Sequence, residues 1–148
     1  MTRIAILALA VLVLSNAPAH AETGAAFECL RPYDETSRAI AALRPLAATP
    51  PIQAYAPGDT QAYGWPAHAI WTAADSESRV VVVRIAAPIS SILPEVLRRR
   101  RLEACPRSFG VTDYCHVENA ELGSELVVQS DPETPGATLL ICSFSTRH

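Results

Sequence analysis

Four cysteines and one neighbouring histidine are the side chains of this 148-residue chain with the greatest capacity for chemistry. Zinc sites in proteins use short repeated spacings such as C-x2-C or H-x3-H. The two closest cysteines here, Cys105 and Cys115, lie ten positions apart, so this pattern is absent although His116 follows one of them. A nucleophilic thiol must also stay reduced, which an even cysteine count in an exported protein does not favour. We therefore expect no metal ion, no cofactor and no catalytic cysteine.

His116 and Glu118 are the most enzyme-like pair of residues in the chain. Because alternate residues of a strand point to the same face, these two side chains would lie near each other on a predicted strand. An enzyme also needs a third group and a pocket. The chain carries no G-x-S-x-G, H-E-x-x-H, S-x-x-K or glycine-rich phosphate-binding motif. The favoured prediction is therefore no catalytic residue, and a small secreted hydrolase built on this pair is kept as the alternative.

The chain begins with the three parts of a secretory signal peptide. A basic start with Arg3 precedes an uninterrupted apolar run over residues 4–14, and Ala19-His20-Ala21 gives the small-x-small pattern of a cleavage site. The apolar run is too short for a bilayer span, which needs about 20 residues. An uncleaved anchor is the alternative, but Pro18 would break its helix. We expect cleavage after residue 21, a single mature domain over residues 22–148, and a periplasmic or secreted product.

The even cysteine count after a signal peptide predicts two disulfides. If the last three strands form a simple meander, Cys115 and Cys142 lie on its outer strands, about 10 Å apart, which is beyond the roughly 7 Å limit between bridged Cα atoms. Two connectivities then remain. The favoured one joins Cys105 to Cys115 and Cys29 to Cys142, because it closes a short loop and ties the start of the domain to its final strand.

The composition limits the partners. All 12 basic residues are arginines, which together with frequent alanine and proline indicates a GC-rich bacterial genome. One arginine lies in the signal peptide, so the mature chain has 11 arginines against 15 acidic residues, a net charge of −4. Mild acidity does not favour a nucleic acid partner or an anionic membrane surface. After signal cleavage we expect no stable membrane insertion.

The periodicity predicts an α+β fold. It contains a mostly antiparallel sheet of about five strands, made of a hairpin and a C-terminal three-stranded meander, with one or two helices packed on one face. Between the first helix and the hairpin, prolines indicate an extended connector. The expected segments are a helix from an Asp34 N-cap to residue 44, a connector over 45–59, strands over 61–71 and 79–86, a helix capped by Ser90 or Ser91 that stops by Pro106, and strands over 111–119, 125–130 and 137–145.

Aromatic residues recur with period two in the first strand of the hairpin. Tyr63, Trp65 and Trp71 would then lie on one face of that strand, with an edge-like or bulged position expected at Pro66. Flat rings with polar tips can line a sugar or peptide groove. The same stripe could instead be the core face of the strand. We include these three residues among the candidate binding residues.

Four consecutive arginines, 98–101, close the second predicted helix. Arg98, Arg99 and Arg101 point away from its apolar stripe, where we expect them only to solvate the helix and complement its dipole. Arg100 falls within the stripe. Either the helix ends before it, or its stem extends to solvent, or it is a buried cation with a carboxylate or a ligand as partner. It is the fourth candidate binding residue.

These observations together predict an exported, non-enzymatic binding or accessory module that recognises a protein or a small ligand. Its recognition surface would be the aromatic hairpin or the arginine-bearing helix. A hydrolase that uses His116 and Glu118 is the first alternative. An envelope structural component that works as an oligomer is the second, and a large exposed apolar patch would support it.

Overall fold

A computed structural model describes residues 24–146, so the predicted signal peptide and its cleavage site lie outside the described residues. Two helices and eight strands follow a short helical turn at residues 24–26. In chain order they are α1 (Tyr33–Ala41), β1 (Pro45–Thr49), β2 (Ile52–Tyr55), β3 (Gln61–Ala62), β4 (Trp65–Ala74), β5 (Ser78–Ile85), α2 (Ile89–Arg99), β6 (Tyr114–Asn119), β7 (Ser124–Ser130) and β8 (Thr138–Ser145).

The strands form a single antiparallel sheet in the order β1-β2-β4-β5-β8-β7-β6, with the short β3 paired to β4. The predicted α+β class, the β4–β5 hairpin and the C-terminal meander are confirmed. The predicted number of about five strands is wrong, because the sheet has eight. The segment predicted to be a connector contains the β1–β2 hairpin, which extends the sheet beyond β4.

Alternation of side chains gives the sheet one buried face and one face of mostly intermediate exposure, although Val82 on the second face is also buried. In β8, Leu140, Cys142 and Phe144 are buried, whereas the residues between them are of intermediate exposure. Both helices pack on the buried face, since Ile40 of α1 and Ile92 of α2 belong to the same core cluster as these strand residues. We call the other face of the sheet the open face.

Both helices begin and end at different residues from those predicted. Helix α1 has Pro32 and not Asp34 at its N-cap, and it ends at Ala41. Helix α2 has Pro88 and not Ser90 or Ser91 at its N-cap, so Pro94 lies inside the helix. In both cases a proline takes the N-cap position without a side-chain hydrogen bond, so the polar residues expected there lie within the helix.

Two disulfides join distant parts of this fold. Cys29 pairs with Cys142 across a sequence separation of 113, and Cys105 pairs with Cys115 across a separation of 10. This is the connectivity that the sequence favours. The corresponding Cα atoms are 5.6 and 5.8 Å apart, within the usual range for a disulfide. Among the residues described, no helix is long and apolar enough to cross a membrane.

Candidate functional site

Tyr63, a predicted binding residue, lies in the core and not in a groove. Its side chain is 1% exposed, and its hydroxyl donates a hydrogen bond of 2.6 Å to the carbonyl of Glu28. Burial raises the pKa of Tyr63 to about 12, although the neighbouring Arg100 opposes the shift. The residue has a φ of 51° and is followed by Gly64 at 80°, so this turn uses a left-handed backbone that a side chain rarely adopts. The ring is therefore an anchor for the fold.

Arg100 closes helix α2 and is held by partners from this chain. It is the C-cap residue, and its Nε donates to the hydroxyl of Tyr63 at 3.1 Å. Its terminal nitrogen donates to the carbonyls of Glu28, at 2.8 Å, and Cys29, at 3.3 Å. The helix ends before Arg100, which is one of the alternatives that the sequence allows. The guanidinium is partly buried and binds carbonyl oxygens rather than a carboxylate. Its Nε and one of its two terminal nitrogens are thereby occupied within the chain.

The expectation that Arg99 only solvates the helix is wrong. Its guanidinium forms an ion pair with the carboxylate of Glu28, whose side chain is 2% exposed, and it also contacts Glu95 at 2.8 Å. The same Glu28 carboxylate accepts a hydrogen bond of 2.7 Å from the amide of Tyr63. Hydrogen bonds from Arg98 and Arg99 lower the pKa of Glu95 to about 2. We call Glu28, Tyr63, Arg99 and Arg100 the buried cluster.

The two tryptophans of β4 do not share a face of the sheet. The register of β4 against β5 shifts between Ala67 and Ala69, so the alternation is interrupted there and not at Pro66. As a result, Trp65 packs against the core cluster, whereas Trp71 lies on the open face opposite Val82. The single aromatic stripe predicted from period two is therefore divided by a bulge.

A row of mostly apolar side chains crosses the open face at the level of Trp71. Successive cross-strand pairs connect β2, β4, β5, β8, β7 and β6 in that order. At a spacing of about 4.8 Å between strands, the row is roughly 24 Å long. We call it the apolar row, and its members are Ala54, Trp71, Val82, Ile141, Val127 and His116.

Arg84 lies over the indole ring of Trp71, with its guanidinium carbon 5.2 Å from the ring centroid. The Nε of Arg84 donates to the carboxylate of Asp131 at 2.6 Å, and the Asp131 side chain is 2% exposed. Burial opposes ionisation of that carboxyl, but hydrogen bonds from the Glu133 amide and from Arg84 lower the pKa of Asp131. The pair is therefore charged and internally neutralised, and it fixes one side of the indole.

His116 lies at the β6 end of the apolar row beside two glutamates. Glu118 is two positions along β6, and Glu125 of β7 lies directly opposite Glu118. The Glu118 carboxylate pairs with Arg107 at 2.9 Å, while the Nε2 of His116 is 3.3 Å from a carboxylate oxygen of Glu125. The structure therefore places His116 and Glu118 near each other, as the sequence predicts. The closest charged partner of His116 is Glu125, however, and that of Glu118 is Arg107. We call His116, Glu118 and Glu125 the open cluster.

Several of these residues were missed by the sequence analysis. Glu28 carries no local signal, since its partners lie 35 and 71 positions away. Arg84 and Asp131 are 47 positions apart, and only the sheet order brings them together. Glu125 could have been found, because a short turn between β6 and β7 places it opposite Glu118.

No known protein family matches the chain, and neither the curated proteins nor the solved structures contain a significant match.

Proposed function

We propose that this chain is an exported, non-enzymatic binding module that recognises a protein partner through the open face of its sheet. The observation that carries the proposal is the apolar row, which crosses five adjacent strand pairings on the face opposite both helices. The two disulfides support an oxidising compartment outside the cytosol. Five of the six members of the row are of intermediate exposure and Val82 is buried. Contiguous apolar surface on a soluble protein is typical of an interaction site.

The shape of the open face favours a protein over a small ligand. Four surface cavities of the described residues have volumes of about 270, 350, 440 and 490 Å³. The one of about 350 Å³ borders the open face at Glu125 and Ser143, and none of the four is lined by Trp71, Arg84 or His116. Small ligands need concave sites that bury most of their surface. A broad face roughly 24 Å across instead suits a protein surface with an apolar centre.

Trp71 has the features of an interaction anchor on this face. Tryptophan and arginine are over-represented among the residues that dominate binding energy at interfaces. Arg84 and Asp131 hold the indole from one side, so less side-chain entropy is lost when a partner covers it. Since Asp131 neutralises Arg84, the partner surface opposite Trp71 is expected to be apolar and without net charge.

Site-specific photo-crosslinking in the cell envelope of the source organism tests the proposal. A photoreactive residue at Ser143, which is half-exposed on the open face, should give one protein adduct of defined mass. The same residue at Glu103, which is exposed beyond α2, serves as the matched control and should not give that adduct. Trp71→Ala should reduce the yield from Ser143 at least tenfold.

The arginine-bearing helix provides a second control. Arg98 has a side chain 69% exposed and lies on α2, so Arg98→Ala should leave the adduct unchanged. Loss of the adduct in Arg98→Ala and its retention in Trp71→Ala would place recognition on the helix and overturn the proposal. An adduct of twice the protomer mass would also contradict it, in favour of self-association. Far-UV circular dichroism of each variant establishes that it is folded.

A further inference from the structure

The open cluster brings three different metal-ligating side chains to one point of the sheet. His116 and Glu118 lie on the same face of β6, and Glu125 is the cross-strand partner of Glu118 on β7. One ligand atom of each residue lies within 4.8 Å of the corresponding atoms of the other two. The backbone of all three residues is held by regular strand pairing, so the sheet sets the points from which their side chains extend.

The donor set fits a divalent transition-metal ion. Zinc binds histidine nitrogen and carboxylate oxygen at about 2.0–2.2 Å, so its ligand atoms lie roughly 3.3–3.5 Å from one another in a tetrahedral site. The Nε2 of His116 and the nearest oxygen of Glu125 are already 3.3 Å apart. Only small rotations of the two glutamate side chains are needed to complete such a site, and both are more than half exposed.

The position of the His116 imidazole favours a cation beside its Nε2. Its side chain is 12% exposed, and its buried Nε2 makes no hydrogen bond, although a carboxylate oxygen of Glu125 lies 3.3 Å away. Two carboxylates directly opposite each other on neighbouring strands repel. A cation between the three residues would provide the buried nitrogen with a bond and neutralise the facing carboxylates.

We propose that His116, Glu118 and Glu125 form a binding site for a divalent transition-metal ion, with Zn²⁺ as the representative ion. Three protein ligands leave one coordination position of a tetrahedral ion free, and the open face exposes it to solvent or to a partner side chain. This site differs from the expectation that the chain binds no metal, which was based on the cysteine spacing alone.

Arg107 competes with the metal for one of the three ligands. It pairs with Glu118 at 2.9 Å, and both side chains are more than half exposed, at 55% and 53%. Exposed ion pairs contribute little free energy, so an ion can displace Arg107 at low cost. Removal of this arginine should therefore tighten metal binding, an effect that a purely structural ion pair would not produce.

Isothermal titration of the untagged, oxidised protein with Zn²⁺ alone tests the site. We expect saturable binding of one ion per chain. His116→Ala should abolish it, and Glu125→Gln and Glu118→Gln, which keep the side-chain shape, should each raise the Kd at least tenfold. Arg107→Ala should lower the Kd several-fold. Substitution with Co²⁺ should give the visible absorption of a tetrahedral site.

Two exposed residues outside the cluster are the matched controls. His68→Ala and Glu121→Gln should leave the Kd unchanged, because both residues are exposed and neither belongs to the cluster. Circular dichroism and a thiol assay establish that each variant is folded and oxidised. No saturable binding by the wild-type protein up to millimolar Zn²⁺, or equal binding by a folded Glu125→Gln protein, would overturn the inference.

Discussion

The buried and open clusters are both built from acidic and basic side chains next to a disulfide, yet they differ in how completely their polar atoms are used. Glu28 precedes Cys29, and its carboxylate is bound by the Tyr63 amide and by Arg99. His116 follows Cys115, and its Nε2 has no hydrogen-bond partner. Where the chain satisfies its own polar groups, the cluster stabilises the fold. Where a buried nitrogen is left over, the cluster can accept a ligand.

Removal of the disulfide beside each cluster should give the largest difference in the free energy of unfolding between the two clusters. The loop-entropy account assigns about 5 kcal/mol to a closure of the Cys29–Cys142 length and about 3 kcal/mol to one of the Cys105–Cys115 length. Replacement of Cys29 and Cys142 by serine should therefore lower the free energy of unfolding more than replacement of Cys105 and Cys115. Urea unfolding of the two double variants measures this, and the reverse order would show that the open cluster carries the stability.

Replacement of one glutamate by glutamine in each cluster should give the next largest difference in the free energy of unfolding. Glu28→Gln removes a buried charge that pairs with Arg99, and we expect it to lower the free energy of unfolding by about 1–2 kcal/mol, since Arg99 is a third exposed and keeps Glu95. Glu125→Gln should cost less than about 0.5 kcal/mol, because its side chain is 56% exposed. Equal losses in urea unfolding would remove the distinction between the clusters.

Within the buried cluster, Tyr63 should have a smaller effect on the free energy of unfolding at neutral pH than Glu28. Tyr63→Phe removes the hydrogen bonds of one hydroxyl and should cost about 1 kcal/mol. The folded pKa of about 12 lies above the ordinary value of 10.0, so this contribution is complete below pH 10 and is lost as the pH rises through 12. Absorbance titration at alkaline pH should show one late-titrating tyrosine that is absent from the variant. Titration of Tyr63 near pH 10 would contradict the burial of its ring.

The strands that the sequence predicted are those whose side chains alternate or are β-branched. Strand β5 contains four consecutive valines, and β8 alternates buried and half-exposed residues, so both patterns are local. Strands β1 and β2 were not predicted, because proline-rich and small residues also fit an extended connector. The first of them is exposed along its whole length, so burial leaves no periodic pattern there.

The candidate site was less predictable than the fold. The bulge between Ala67 and Ala69 moves Trp71 to the other face from Trp65, and nothing in the periodicity locates that shift. The ion pair between Arg99 and Glu28 joins residues that are 71 positions apart in the sequence, so no local pattern predicts it. By contrast, His116 and Glu118 share a strand face as predicted, since their proximity depends only on the period of a strand.

The most direct test of the central claim, that the open cluster can accept a ligand and the buried cluster cannot, is an amide NMR spectrum recorded during Zn²⁺ addition. We predict saturable shifts confined to residues around Arg107, His116 and Glu125, with Glu28 and Tyr63 unaffected. Shifts at Glu28 and Tyr63, or no saturable shifts at the open cluster, would contradict the account.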